Sequence, residues 1–185
     1  MSRIAPPASI QTSPAASQPL LEAVQQQLGS VPNLFRVVGH SPAALAGYLG
    51  LNGALAKGLL DAATRERVAL AVAQENGCEY CLSAHTYLGK NLARLDDAEL
   101  AANRAGTSSD AKAAAALTFA VRLVQARGHV SDAELQAVRS AGYSEAEVVE
   151  LVVHVALNTL TNYVNSVAGT EVDFPRVQVM TRKAA

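Results

Sequence analysis

Cys78 and Cys81 stand three residues apart, His85 follows four residues later, and the 185-residue chain has no other cysteine. On a helix, positions i, i+3 and i+7 share a face, so two thiols and an imidazole line up. Cysteines at i and i+3 near a helix start approach disulfide distance with little backbone movement. The amides and dipole of such a start also favour a thiolate over a thiol. His85, one turn beyond Cys81, is spaced to hold a proton or a positive charge beside it. A nucleophilic thiolate, a second thiol to resolve it and a proton carrier are the minimum for reducing a peroxide or exchanging a disulfide. Two blander readings stay open. Cys78, Cys81 and His85 are three potential zinc ligands, although a second cysteine pair is missing and three ligands on one helical face make poor tetrahedral geometry. The cysteines can also be inert and buried beside a core histidine. A structural staple is disfavoured, because so short a loop constrains little of the unfolded chain.

The elements that must carry these residues read as helices throughout. Leu20, Leu21, Val24 and Leu28 form an apolar stripe stopped by Gly29. The segment SVPNLFRVVGHSP, residues 30–42, reads as a connection with local apolar anchors. Ser41-Pro42 reads as an N-cap with proline at the first helical position, opening a helix to about Lys57. Thr64 opens the next, which ends at Gly77, and a helix from about Cys78 to Lys90 carries the cysteines. Leu95 to Asn103 and Asp110 to Arg127 follow. Ser131-x-x-Glu134 and Ser144-x-x-Glu147 are capping boxes, the second starting a long helix to about Ala168. No strand alternation or internal repeat is visible. The expected fold is all-α in a single domain over residues 18–185, with residues 1–17 a flexible arm placed to lie on a neighbour.

Composition agrees with this and narrows the function classes. Half of the residues are hydrophobic, 4% are aromatic, and 36 are Ala, the best helix former. The charged fraction is 17%, below the usual ~25%, which suggests that part of the surface is hidden in an oligomer. With a net charge of −1 there is no basic footprint for nucleic acid or an anionic membrane. No apolar run approaches a membrane span, and the N-terminal stretch lacks the apolar core of a secretory signal, so a cytoplasmic location is expected. His154 lies in an apolar run and reads as a satisfied core histidine, while His40 and His129 read as exposed. Asn158, Asn162, Tyr163 and Asn165 are placed either to line a pocket or to bond between subunits. No phosphate-binding glycine loop, nucleophile elbow or zinc-protease motif occurs.

The pattern Thr64-x-Glu66-Arg, Glu75-Asn-x-Cys78-x-Tyr80-Cys81, then His85, resembles the AhpD-like alkylhydroperoxidase core of the carboxymuconolactone decarboxylase superfamily, in its peroxidase-related branch. The resemblance reaches from about residue 30 to residue 175. It implies an all-α helical bundle, an oligomer (trimer or hexamer), and reduction of alkyl hydroperoxides without a metal or other cofactor. It implies that Cys81 attacks the peroxide, that Cys78 resolves the product to a disulfide, and that His85 and Glu66 relay protons. Glu75 is nearer in sequence but sits where the pattern has no clear role. The electron donor that the resemblance implies is a dithiol carrier such as a lipoyl domain. Tyr80 departs from the pattern, which has a histidine immediately before the second cysteine. With a pKa near ~10, a tyrosine is a weak proton shuttle but a good hydrogen-bond donor. The helix dipole taken alone favours Cys78 as the nucleophile; the resemblance favours Cys81, and Cys81 is the assignment taken. The alternatives are a disulfide oxidoreductase or decarboxylase of the same superfamily, or a non-enzymatic redox-sensing module.

Overall fold

The computed structural model describes residues 2–180. These residues form nine α-helices and one short 3₁₀ turn at Ala15–Ser17, with no strand among them. The helices are α1 (Gln18–Leu28), α2 (Asn33–Val38), α3 (Pro42–Leu55), α4 (Ala62–Glu75), α5 (Glu79–Asn91), α6 (Asp97–Arg104), α7 (Ala111–Gln125), α8 (Asp132–Ser140) and α9 (Glu145–Ala168). The all-α single-domain expectation therefore holds, and both capping boxes form as read, at Ser131 and Ser144. Three local readings are corrected. Residues 33–38 are a helix rather than a connection, entered through Pro32. Helix α4 begins before Thr64, because the carboxylate of Asp61 accepts the Thr64 amide and acts as N-cap. Cys78 lies just outside α5 as its N-cap, and its sulfur accepts the Cys81 amide at 3.4 Å.

Helix α4 is the axis of the molecule and meets α5, α6, α7 and α9. Its residues 68–73, VALAVA, are all buried, and the small alanines let neighbours approach from both sides. One core joins Val68 and Val72 to Leu117 and Ala120 of α7 and to Leu151 and Val155 of α9. A second joins Leu70 of α4 to Leu21, Leu34, Leu45 and Leu82, and it contains Cys78, Tyr80 and Cys81. Burying each such leucine contributes about 1.5–3 kcal/mol.

The α4–α5 joint fixes the cysteines. Gly77 takes φ +68°, the Cys78 amide donates to Ala73 O, and the Gly77 amide donates to Gln74 O. This Schellman closure ends α4, and the next residue begins the capping of α5. The left-handed φ requires glycine there.

Two further features frame the site. The N-terminal arm lies along its own chain: the Arg3 and Ile4 amides donate to Ala168 O, and His40 Nε2 lies 2.9 Å from Ala5 O. The last described segment crosses back over α2, α4 and α5. Asp173 accepts the Asn33 amide at 2.7 Å, the Val177 amide donates to Ser83 Oγ at 2.9 Å, and Phe174 meets Tyr80 edge to face. Among the described residues, no helix is long and apolar enough to cross a membrane.

Helix α3 has no charged residue, and much of it faces outward, including Leu51. Along α9, Val149, Val152, Leu160, Tyr163 and Val167 are also exposed, at spacings that follow one helical face.

Candidate active site

A cavity of about 100 Å³ lies where α3, α4, α5 and α9 converge, and Cys81, His85, Glu66, Tyr80, Tyr48 and His154 are among its lining residues. Glu66 comes from the second turn of α4 and His85 from the second turn of α5. Because these helices pack side by side, the Glu66 carboxylate accepts a hydrogen bond from His85 Nδ1 at 2.8 Å. Burial opposes a charge on His85, but the Glu66 carboxylate and the electronegative Cys81 outweigh it and raise the imidazole above its ordinary value. The pair thus favours imidazolium beside a thiolate.

Cys81 is almost wholly buried at 2% exposure, which by itself disfavours charge. Its pKa is nonetheless lowered to about 6, first by the hydrogen bond from the Cys78 thiol. Burial works against this, while the positive charge of His85 and the side-chain amides of Asn165 and Asn162 work with it. Asn165 Nδ2 donates to Cys81 Sγ at 3.3 Å. The Cys78 thiol is pushed the other way, first by its bond to Cys81, then by burial and the neighbouring charge. The local electrostatics therefore concentrate the negative charge on Cys81. A dipole argument that looks only at the helix start favours Cys78 and misses the donors that α9 brings to Cys81. Both sulfurs are free thiols.

Tyr80 is not placed as a shuttle. Its buried hydroxyl accepts the Leu34 amide at 3.1 Å, and burial, reinforced by Asp173, holds the phenol strongly protonated. It ties α2 to the cysteine turn. Glu75, at the end of α4, lines a separate depression with Gln74, Arg104 and Met180 and lies outside the Cys81 cavity. Among the described residues, no group of three or more His, Cys, Asp or Glu has a metal-binding arrangement.

His154 corrects its reading as a satisfied core histidine. It is 4% exposed, yet its Nε2 has no hydrogen-bond partner, and burial together with Arg65 keeps it neutral. The exposed positions of His40 and His129 agree with the sequence reading. Asn158, Asn162 and Asn165 face inward: Asn158 lines the cavity, Asn162 Oδ1 accepts from Asn76 Nδ2 at 2.9 Å, and Asn165 reaches Cys81. Tyr163 is 62% exposed and points away from them. Tyr48 is the residue that sequence reasoning missed outright; burial, then the charges of Cys81 and Glu66, keeps its phenol protonated. The asparagines carried a signal, since three amides at i, i+4 and i+7 on an apolar helix face need a common internal partner.

Residues 42–126 match the model of the carboxymuconolactone decarboxylase family. An uncharacterised protein of Haemophilus influenzae is 53% identical over 45 residues, which is 24% of this chain and only 40% of that relative. The fold is similar to that of an alkylhydroperoxidase AhpD core, a peroxidase-related protein from Ralstonia eutropha (TM-score 0.82, 22% identity, 93% of this chain and 92% of that one). A peroxidase-related protein from Silicibacter sp. superposes with TM-score 0.76 at 24% identity, over 85% of each chain. The debrominase Bmp8, in complex with 2,3,4-tribromopyrrole, superposes with TM-score 0.77 at 18% identity, over 92% of this chain and 91% of that one. Identities this low speak for the fold.

Proposed function

We propose, from the match of residues 42–126 to the carboxymuconolactone decarboxylase family model, that the chain is a two-cysteine peroxidase that reduces alkyl hydroperoxides. The observation that carries this reading is the 2.8 Å Glu66–His85 pair lining the same small cavity as an acidified Cys81. The Cys81 thiolate attacks the terminal oxygen of ROOH. The O–O bond breaks, Cys81 becomes a sulfenic acid, and the leaving alkoxide takes a proton from the His85 imidazolium. Glu66 holds the imidazole oriented and charged. Cys78 then attacks the Cys81 sulfur; its proton leaves with the hydroxide as water, and a disulfide remains. A dithiol returns both sulfurs to thiols by taking the oxidation onto itself. No metal or other cofactor enters this cycle. A cytoplasmic location, where the thiols are kept reduced, is part of the same reading.

The test is the peroxide burst of the prereduced protein as a function of pH. Cys81 is lowered, so its reactive base form is present above about pH 6. His85 is raised, so its useful acid form persists above 6.5. The burst rate is expected to rise through about pH 6, hold a plateau, and fall once His85 deprotonates. A profile that climbs only through the free-thiol range of about 8–9, or no burst at all, overturns the reading.

The uncharged α3 and the apolar outer stripe of α9 support a homo-oligomer, a trimer or hexamer, as part of the same proposal. Apolar surface of this extent on a lone subunit is unusual. Light scattering at micromolar concentration is expected to give a multiple of 19.2 kDa; a stable monomer of that mass contradicts it.

A further inference from the structure

Three hydroxyl-bearing residues line the cavity that holds Cys81: Tyr48, Tyr80 and Thr161. Two of them are committed. The Tyr80 hydroxyl accepts the Leu34 amide and bonds the Asp173 carboxylate, and Thr161 Oγ1 donates to Asn158 O at 2.9 Å. Tyr48 differs. Among the described residues its hydroxyl has no hydrogen-bond partner, and its one specific contact is through the ring, which packs on Phe35 of α2 with centroids 5.7 Å apart. The residue is half-buried and, unlike the sealed Nε2 of His154 in the same lining, its hydroxyl is open to the cavity. Packing therefore sets the place of this phenol, and no polar bond within the chain uses it. Burial, with the charges of Cys81 and Glu66, keeps it protonated, so it is a donor throughout the pH range of the burst. The donors to the Cys81 sulfur are Cys78, Asn165 and Asn162, and Tyr48 is not one of them. A polar group held at a reaction cavity with its donor unspent fits a bond made only when substrate is present.

We propose, resting on the two-cysteine reading above, that Tyr48 is a further catalytic residue, whose hydroxyl donates a hydrogen bond to the leaving oxygen of the hydroperoxide. The electron pair of the Cys81 thiolate forms the bond to the terminal oxygen, and the O–O bond breaks with its pair moving onto the alkyl-bearing oxygen. The sulfur is oxidised to the sulfenic acid, which keeps the hydrogen of the terminal oxygen, and the peroxide is reduced. The alkoxide then takes its proton from the His85 imidazolium. Tyr48 transfers no proton; its bond strengthens as charge grows on the leaving oxygen, which lowers the barrier to cleavage. The division of labour follows from acidity: an imidazolium gives up a proton at neutral pH, whereas a buried phenol holds one and offers it as a bond. The substrate class follows as well. A donor on the leaving oxygen matters most when that oxygen is a strong base, so Tyr48 suits alkyl hydroperoxides, which expel an alkoxide, over peracids, which expel a carboxylate.

The test is Tyr48→Phe, which keeps the ring on Phe35 and removes only the hydroxyl. Because that hydroxyl bonds nothing in the chain, the melting transition is expected to stay where it is. The burst of the prereduced variant with tert-butyl hydroperoxide is expected to slow about tenfold, the worth of one hydrogen bond to a developing charge. With peracetic acid the loss is expected to be about threefold or less, because the leaving carboxylate is a weak base. Alkylation of Cys81 by iodoacetamide, followed by peptide mass spectrometry across pH, reads the thiolate without any peroxide oxygen. Its rate and its acid limb near 6 are expected to match those of the wild type. A wild-type burst with tert-butyl hydroperoxide in Tyr48→Phe overturns the proposal, as does an equal loss with both peroxides. Alkylation slowed in step with the burst also overturns it, since Tyr48 then acts on the sulfur, and so does a lost or lowered melt, which makes the hydroxyl structural. Failure of the underlying reading looks different: the wild-type protein itself then alkylates normally but gives no burst with either peroxide, and both proposals fall together.

Discussion

Cys81→Ser is expected to lose peroxide reduction by more than about 10³-fold, because the attacking atom itself is gone. Cys78→Ser is expected to behave differently. The serine hydroxyl keeps a donor facing Cys81, so one peroxide is still consumed per subunit, and the protein then stalls with a sulfenic acid on Cys81. A dimedone-type probe followed by peptide mass spectrometry reads the outcome. The adduct is expected on Cys81 in Cys78→Ser and nowhere in Cys81→Ser. An adduct on Cys78 in Cys81→Ser, with none on Cys81 in the reverse variant, reverses the assignment. Cys78→Ala adds a quantitative check. It removes the thiol donor that is the largest influence on Cys81 acidity, so the acid limb of its burst profile moves upward from about 6, while that of Cys78→Ser moves less.

The second large effect belongs to Glu66. Glu66→Gln preserves size and leaves an amide facing His85 Nδ1, but removes the charge that holds the imidazole protonated. The expected loss is about 10²-fold in peroxide reduction, the usual worth of a positioned acid–base group, with the melting transition nearly unchanged. A purely structural role does not move a pH profile, whereas this one does. Without its carboxylate, His85 titrates lower, the alkaline limb falls to lower pH, and Cys81 loses a positive neighbour. Glu66→Asp is expected to recover part of the rate. A Glu66→Gln protein with wild-type turnover and profile returns Glu66 to the role of a surface charge.

What was legible in the sequence was local. A capping box, a Ser-Pro entry or a glycine stop involves residues within four positions of each other, and those helices begin and end close to where the pattern put them. The failures have the same origin. The Asp61 cap was overlooked because Thr64 is itself a good capping residue, and both belong to one bond. Helix α2 is only six residues long and is supported by Asn33 and Leu34 bonding to residues 140 and 46 positions away, which no window sees. At the site, the CxxCxxxH spacing delivers the residues of α5, and counting back from Cys78 delivers Glu66. The spacing around the cysteines does not deliver Tyr48, His154 or the bond from Asn165, because Tyr48 comes from α3 and the other two from α9, distant in the chain. The relative acidity of the two sulfurs was for that reason the part least readable: the helix start is visible in sequence, and the donors that outweigh it arrive from elsewhere.

Asn165 lies 84 residues after the sulfur it touches, and Phe174, which closes over Tyr80, comes later still. Chains emerge at about 5–20 residues per second, so α5 exists for roughly 4–17 s before α9 can dock beside it. During that interval Cys81 has neither amide, and the Tyr80 turn has no edge-on ring against it. The influences of Cys78 and His85 on Cys81 come from its own stretch of chain, and the α9 amides are the last to be added. The donors nearest in sequence set most of the acidity of Cys81, and the docking of α9 completes it.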